Sequence, residues 1–171
     1  MTGDHKATAG IWRSGAPPIL PIKALVLAAL GGALAVALLA LGSDIAQWPL
    51  VLGSFGASCV LLFGYPDSPF AQPRSLIGGH LIATATGLVF LTLFGAHWWS
   101  MALAEGGAIA LMHVTRTVHP PAGSNPLIVM LGQPGWSFLV TPTLAGVILL
   151  QLVALAFHRA TPGRHYPKYW C

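Results

Sequence analysis

The sequence predicts an all-α membrane protein that crosses the bilayer about six times, and three observations carry that reading. Of its 171 residues 55% are hydrophobic and only 7% charged, where a soluble domain carries roughly 25% charged residues. Several apolar runs are long enough to cross a hydrocarbon core of about 30 Å. If each run crosses once, every lysine and arginine falls on one side of the membrane. The same composition excludes a disordered chain, and despite the net charge of +4 nothing in the chain resembles a nucleic-acid-binding domain. Cys59 and Cys171 form neither a disulfide framework nor a metal motif.

The first run, Ile22 to Gly42, has Lys23 at its lip and reads as a full transmembrane helix. It is longer than the apolar part of a signal peptide, and Gly42-Ser43-Asp44 is a poor cleavage site, so it belongs to the mature protein. The second, Pro49 to Tyr65, is interrupted by Gly53, Ser54, Gly56 and Ser58. The third, Leu76 to Gly95, has full length. The fourth, Trp98 to Val114, contains Glu105 and His113, and the sixth, Phe138 to Phe157, is clean. Between these two lies Val118-His-Pro-Pro-Ala-Gly-Ser-Asn-Pro126, which cannot be regular helix because its prolines lack donors and push their predecessors toward extended conformations. Leu127 to Gly132 is apolar again.

Lys6, Arg13, Lys23, Arg74, Arg116, Arg159, Arg164 and Lys168 then share one side, which the positive-inside rule makes the cytoplasm. The organisation expected is a cytoplasmic tail over residues 1–21, a transmembrane domain over 22–158 and a cytoplasmic tail over 159–171, in a bacterial inner membrane. The alternative is four spanning helices with two re-entrant segments, which moves Arg74 and Arg116 to the opposite side. Trp12, Trp48, Trp98, Trp99, Trp136, Tyr166, Tyr169 and Trp170 sit at run ends, where amphipathic rings anchor in the headgroup layer.

Six crossings divide into two groups of three, so any internal repeat must be inverted. A shift of 68 residues places Gly64 on Gly132, Pro66 on Pro134 and Gly78 on Gly146, and each half reads long, broken, long. Interrupted segments at corresponding positions of two halves point to a transporter's midplane site. In the fifth run an extended His119 to Ser124 leads to Asn125 as N-cap and Pro126 at the first helical position. The half-helix that follows rises only about 10 Å. In the second run the helix begins near Ser54 to Ser58 and stops at Gly64. Two such N-termini, facing each other at depth, describe a site for a small anion lined by Ser54, Gly56, Ser58, His119, Gly123, Ser124 and Asn125.

Glu105, His113 and Arg116 lie at helical spacing on one face, and a carboxyl in lipid is costly enough to require an inward orientation. With His80 they are candidates for gating or proton coupling. The plainer role of each is structural: a satisfied carboxyl, a histidine on a backbone carbonyl, an arginine anchoring the topology.

Thr115-Arg-Thr-Val-His-Pro-Pro-Ala-Gly123, together with Gly53-Ser-Phe-Gly-Ala-Ser58, Ser68-Pro-Phe-Ala-Gln-Pro-Arg74, Ile77-Gly-Gly-His80 and Tyr166-Pro-Lys-Tyr-Trp170, resembles the HPP family of small integral membrane proteins. The resemblance implies a helical membrane protein, usually described with four helices. It also implies nitrite transport, which is assigned to some plastid and cyanobacterial members. The chain departs from the family in reading Ser124-Asn125-Pro126 where many members have Ala and Thr. It also stops shortly after its last span, so the soluble regulatory domain fused to some relatives is not expected. The function expected is a transporter or channel for a small inorganic anion, nitrite by resemblance, rather than an enzyme. Its partners would be that anion and the lipid bilayer, with no cofactor, no metal and no nucleic acid; a homo-oligomer stays open. A membrane-embedded redox or haem-binding subunit using His80, His113 or His119, and a non-transporting scaffold, are the alternatives.

Overall fold

The computed structural model describes residues 19–163 and 165–170; the expectations resting on Lys6, Arg13, Trp12, Arg164 and Cys171 lie outside them. Among the described residues there is helix and turn but no strand. Helix α1 spans Ile22–Ala46, α2 spans Gly53–Cys59 and continues through a wider turn at Val60–Gly64, and α3 spans Pro73–Phe94. Helix α4 spans Trp98–Val114, and α5 spans Asn125–Gly132 directly after a tight 3-10 segment at Pro120–Ser124. Helix α6 spans Ala145–Ala160, preceded by turns at Trp136–Leu139 and Val140–Leu144 with a kink at Thr141. Three helical stretches, Ile22–Ala46, Pro73–Phe94 and Trp136–Ala160, are long and apolar enough to cross a membrane unaided.

Glycine contacts fix how the two broken segments run. Gly42 of α1 packs against Leu50, Gly32 against Cys59 and Gly31 against the ring of Phe63, so the chain from Leu50 to Phe63 runs antiparallel to α1 along most of its length. Gly78 and Gly79 of α3 pack against Thr117 and His119, and Gly87 against Pro126 and Val129, so the fifth segment runs parallel to α3. Each broken segment therefore runs beside a long helix as a short extended lead followed by a half-helix, an arrangement in keeping with six crossings. The Tyr65–Gln72 connection, the Thr115–Val118 turn and the tail after α6 gather at one end. There Arg74 donates to the carbonyls of Thr115 (2.8 Å) and Arg116 (3.2 Å), and Tyr166 donates to Ala71 (2.9 Å). Lys23, Arg74, Arg116, Arg159 and Lys168 all lie at this basic end, and Asp44 at the far end.

Helix α1 buries only Gly31, Ala35 and Leu39, one residue per turn on a single stripe, and leaves Leu25, Leu30, Leu34, Leu38 and Leu41 exposed. A bilayer tolerates such exposure because lipid tails are as apolar as leucine. The core lies between α1, α2, α3 and α6 and is centred on Phe55, Leu62, Phe63, Leu76, Val147 and Leu150. Trp48, Trp98, Trp136 and Trp170 are exposed at the ends, as amphipathic rings in an interface require.

The two halves pack crosswise. Gly146, on the third helix of the second half, receives the Leu50 carbonyl and the Phe55 ring from the broken segment of the first half. Gly78, on the third helix of the first half, receives Thr117 from the lead of the second. The 68-residue shift that pairs Gly78 with Gly146 carries Thr117 to within one position of Leu50. The fifth segment differs from expectation in one respect. Pro120 to Ser124 is a 3-10 turn rather than extended, because a first helical turn needs no donors from Pro120 and Pro121. His119 (φ −136°, ψ 97°) is the extended residue that precedes it.

Candidate functional site

The two half-helices begin beside each other. Helix α2 starts after extended Leu52 (φ −119°, ψ 145°) and runs toward the basic end, whereas the Pro120–Gly132 helix runs toward the far end. Where they meet, five polar side chains from four parts of the chain converge with no exposed surface: Ser58, His80, Thr84, His119 and Asn125, each 0% exposed. Ser58 Oγ is 2.8 Å from His119 Nε2 and 3.1 Å from His80 Nε2. His119 Nδ1 is 2.6 Å from the Phe70 carbonyl. Asn125 Nδ2 is 3.0 Å from His80 Nδ1 and 2.8 Å from Thr84 Oγ1, and Thr84 reaches Thr143 Oγ1 at 3.3 Å. Phe55 stands edge-on to His80 at 5.0 Å.

The order of donors follows from one carbonyl. Phe70 O can only accept, so His119 carries its proton on Nδ1 and its Nε2 accepts from the Ser58 hydroxyl. Ser58 Oγ then accepts from His80 Nε2–H, and His80 Nδ1 accepts from the Asn125 amide. This leaves Asn125 Oδ1 buried and without a partner. Ser54 Oγ, 3% exposed, is also without one, while the Ser54 carbonyl lies 3.0 Å from Ser58 Oγ as a second acceptor for that hydroxyl.

Of the residues expected to line the site, Ser58, His119 and Asn125 come together, joined by His80, which the sequence placed among the gating candidates; Ser54 is buried one helical turn before Ser58, its hydroxyl outside this hydrogen-bonded set. The others face elsewhere. Gly56 has open space on its Cβ side and belongs to the groove between α1 and α2. A Cβ at Gly123 would point to Glu105 Oε1, 3.3 Å away, and Ser124 Oγ turns back to the Pro121 carbonyl at 2.9 Å. Asn125 is not a cap, since its side chain is spent inside the cluster. Glu105 and His113 line a separate cavity of about 260 Å³ with Met112, Val118, Pro120 and Gly123, where Glu105 Oε2 has no partner.

Arg116 (φ 58°) stands at the basic end, lining a cavity of about 330 Å³ with Pro69, Phe70, Arg74, Ser75, Val118 and Tyr169. Phe70 joins this mouth to the cluster, because its carbonyl is the partner of His119. Gly78 and Gly79 serve packing: a Cβ on Gly79 would lie 2.7 Å from His119 Cβ and 2.9 Å from the Thr117 carbonyl. Thr84, Thr143 and the Phe70 carbonyl are the members that sequence reasoning missed. Thr84 was within reach, four residues beyond His80 on one helix face. Among the described residues no three His, Cys, Asp or Glu side chains are grouped to hold a metal ion.

Helices long and apolar enough to cross a membrane, two opposed half-helices and a polar cluster buried where they meet define a polytopic helical membrane protein. Comparison with known proteins makes the family explicit: the profile described as "HPP, transmembrane region" matches residues 17–167, and the chain belongs to the HPP transmembrane family. It is similar to two curated transmembrane proteins of Dictyostelium discoideum. One is 39% identical over 133 residues, covering 73% of this chain and 47% of the relative. The other is 38% identical over 128 residues, covering 70% and 41%. The chain thus spans less than half the length of these relatives. No solved structure matches it.

Proposed function

We propose that this HPP-family protein passes a small monovalent anion across the membrane, nitrite being the substrate that the family resemblance implies. The observation that supports this reading is the meeting of two oppositely directed half-helices around Ser58, His80, His119 and Asn125, all fully buried, with Ser54 buried one turn away. A polar group in hydrocarbon is costly unless partnered, so so many gathered at one level need a role that repays them. At α2 the backbone N–H groups of the first turn and the unpartnered Ser54 hydroxyl would contact the anion. At the other half-helix Pro120 and Pro121 have no N–H, and His119 and Asn125 would donate to the anion only by exchanging their present partners, the Phe70 carbonyl, His80 and Thr84, for it. Arg74 and Arg116 would gather anions at the basic mouth, which faces the cytoplasm by the positive-inside rule.

Reconstitution into liposomes tests the reading directly. Indicator flux with nitrite, nitrate, formate and chloride should exceed that of protein-free liposomes for nitrite and fall for chloride. Flux of all four anions at the protein-free level would refute anion passage, and a haem absorption band in the purified protein would favour a redox subunit instead.

A further inference from the structure

We propose that a phosphate group, as inorganic phosphate or a phosphate monoester, binds in the cavity at the basic end, between Arg74 and Arg116 and over the first turn of α3. The cavity, about 330 Å³, is of the size that small molecules occupy, roughly 300–1,000 Å³. A three-atom anion needs far less room. The proposal stands apart from anion passage, because it needs the walls of this cavity and no flux.

Those walls carry positive charge that the protein does not balance. Among the described residues the one ion pair joins Lys168 to Asp67. Asp44 stands at the far end, and Glu105 faces Gly123 in a different cavity. The Arg116 side chain makes no hydrogen bond among the described residues. Arg74 spends Nε and Nη2 on the carbonyls of Arg116 and Thr115, which leaves Nη1 unused. The same two bonds hold the turn that carries Arg116, whose φ of 58° is a left-handed conformation that a residue other than glycine adopts at a cost.

Neutral donors complete the set. Helix α3 begins at Pro73, and no side chain caps it. The Leu76 N–H is taken by the Gln72 carbonyl, whereas those of Arg74 and Ser75 lie in the first turn and have no partner within the helix. Such an end favours an anion through its dipole and its free donors. Ser75 supplies an independent sign of a ligand: it is 5% exposed, lines the cavity, and its hydroxyl makes no hydrogen bond among the described residues. On the same helix Thr86 and Thr92 each return their hydroxyl to the carbonyl four residues back, at 2.8 Å. For Ser75 that carbonyl belongs to Ala71, which accepts from Tyr166 instead.

Two guanidiniums, a hydroxyl and a helix end, with no carboxylate among them, suit a tetrahedral oxyanion of about two charges. Its oxygens can be shared between donors that arrive from different directions, and guanidinium forks match its geometry. Free phosphate offers this chemistry, and so does a lipid whose headgroup is a bare phosphate. The exposed rings of Tyr169 and Trp170 put the cavity at the level of the headgroup layer, where both are within reach. Arginines that merely anchor the topology would need neither Ser75 nor this arrangement.

The test uses the full-length protein in detergent, freed of bound lipid. Inorganic phosphate is titrated by calorimetry at constant ionic strength, with nitrate as the monovalent comparison. In a second arm phosphatidic acid and phosphatidylcholine with the same acyl chains compete for the protein in native mass spectrometry. Saturable binding of phosphate over nitrate, or retention of phosphatidic acid over phosphatidylcholine, is expected; the first alone identifies a soluble phosphate and the second alone a lipid headgroup. Arg116→Gln and Ser75→Ala should each weaken the binding seen, the first by about tenfold or more, as the loss of a hydrogen bond to a charged group implies. Lys23→Gln removes a charge at the same end but outside the cavity, and should change it by less than about twofold at physiological salt. Circular dichroism establishes that each variant is folded. Absence of binding in both arms would overturn the site. Binding weakened equally by Lys23→Gln, or unchanged by Arg116→Gln and Ser75→Ala, would overturn it too, as the diffuse pull of a basic surface. Nitrite flux enters none of these readouts, so the anion reading can fail while the site stands, and the reverse.

Discussion

Gly79 of α3 and His119 lie in direct contact, so close that a methyl group on Gly79 would stand 2.7 Å from His119 Cβ. The glycine lets the lead of the fifth segment lie flat on α3, and the imidazole is thereby carried to Ser58. Gly79→Ala should cost about 1–3 kcal/mol through overpacking and should displace the ring from its hydroxyl partner. A lower apparent melting temperature in detergent, with nitrite flux reduced in the protein that remains folded, is the expected pair of results. An alanine variant as stable and as active as the native protein would show that this contact is soft.

Crossed packing makes a second expectation. Gly146→Ala would push a methyl into the Leu50 carbonyl and the Phe55 ring, whereas Gly106 on α4 has open space where its Cβ would be. The first should destabilise the protein by about 1–3 kcal/mol; the second should not lower stability, because alanine is the better helix former. Parallel thermal unfolding of the two variants checks this, and equal behaviour would count against the interlocked halves.

The tail gives a pH-dependent expectation. Tyr166 OH donates to the Ala71 carbonyl and lies 3.1 Å from Gln151 Oε1, and burial pushes its phenol above the ordinary range. A phenol whose pKa is higher in the folded protein than in the unfolded chain stabilises fully below the unfolded value of about 10, and that stabilisation is lost as pH rises above it. Native protein should therefore lose more stability than Tyr166→Phe on going from neutral to strongly alkaline pH. At neutral pH the Phe variant should be weaker by about 1 kcal/mol for the lost hydrogen bond. By contrast the Lys168 to Asp67 pair at 2.9 Å is exposed, 44% and 76%, and Asp67→Asn should change stability by less than about 1 kcal/mol.

Topology can be read with single cysteines in a background lacking Cys59 and Cys171. Asp67→Cys lies at the basic end and Gln133→Cys at the far end, and both positions are exposed. In intact cells an impermeant thiol reagent should modify the Gln133 variant and spare the Asp67 variant until the membrane is opened. The reverse pattern would invert the orientation derived from the cations.

Much of this architecture was legible in the sequence because membranes impose it through length and charge. The order of long and broken runs, the stop at Gly64, the stop at Gly132 and the clustering of cations all follow from apolar run lengths and from where glycine, proline and arginine stand. The meeting of Ser58, His119 and Asn125 was legible in outline for the same reason. Which face of each short helix turns inward was not. Gly56 and Gly123 look as inviting as Ser58 in one dimension, but packing against α1 and α4 aims them away from the cluster. The Phe70 carbonyl, which sets the direction of every hydrogen bond in the chain, is a backbone atom that no residue type announces. Thr143 reaches Thr84 only because the chain kinks at Thr141.

Helix α5 has eight residues, Asn125–Gly132, and rises about 12 Å, far short of what an insertion machinery reading apolar length would accept as a span. Its place in the bilayer is instead prepared by Gly78, Gly79 and Gly87, which line a track along α3 for the whole stretch from Thr117 to Val129. The His-Pro-Pro stretch is therefore expected to enter the bilayer by docking onto α3, which precedes it in the chain, rather than by partitioning into lipid on its own.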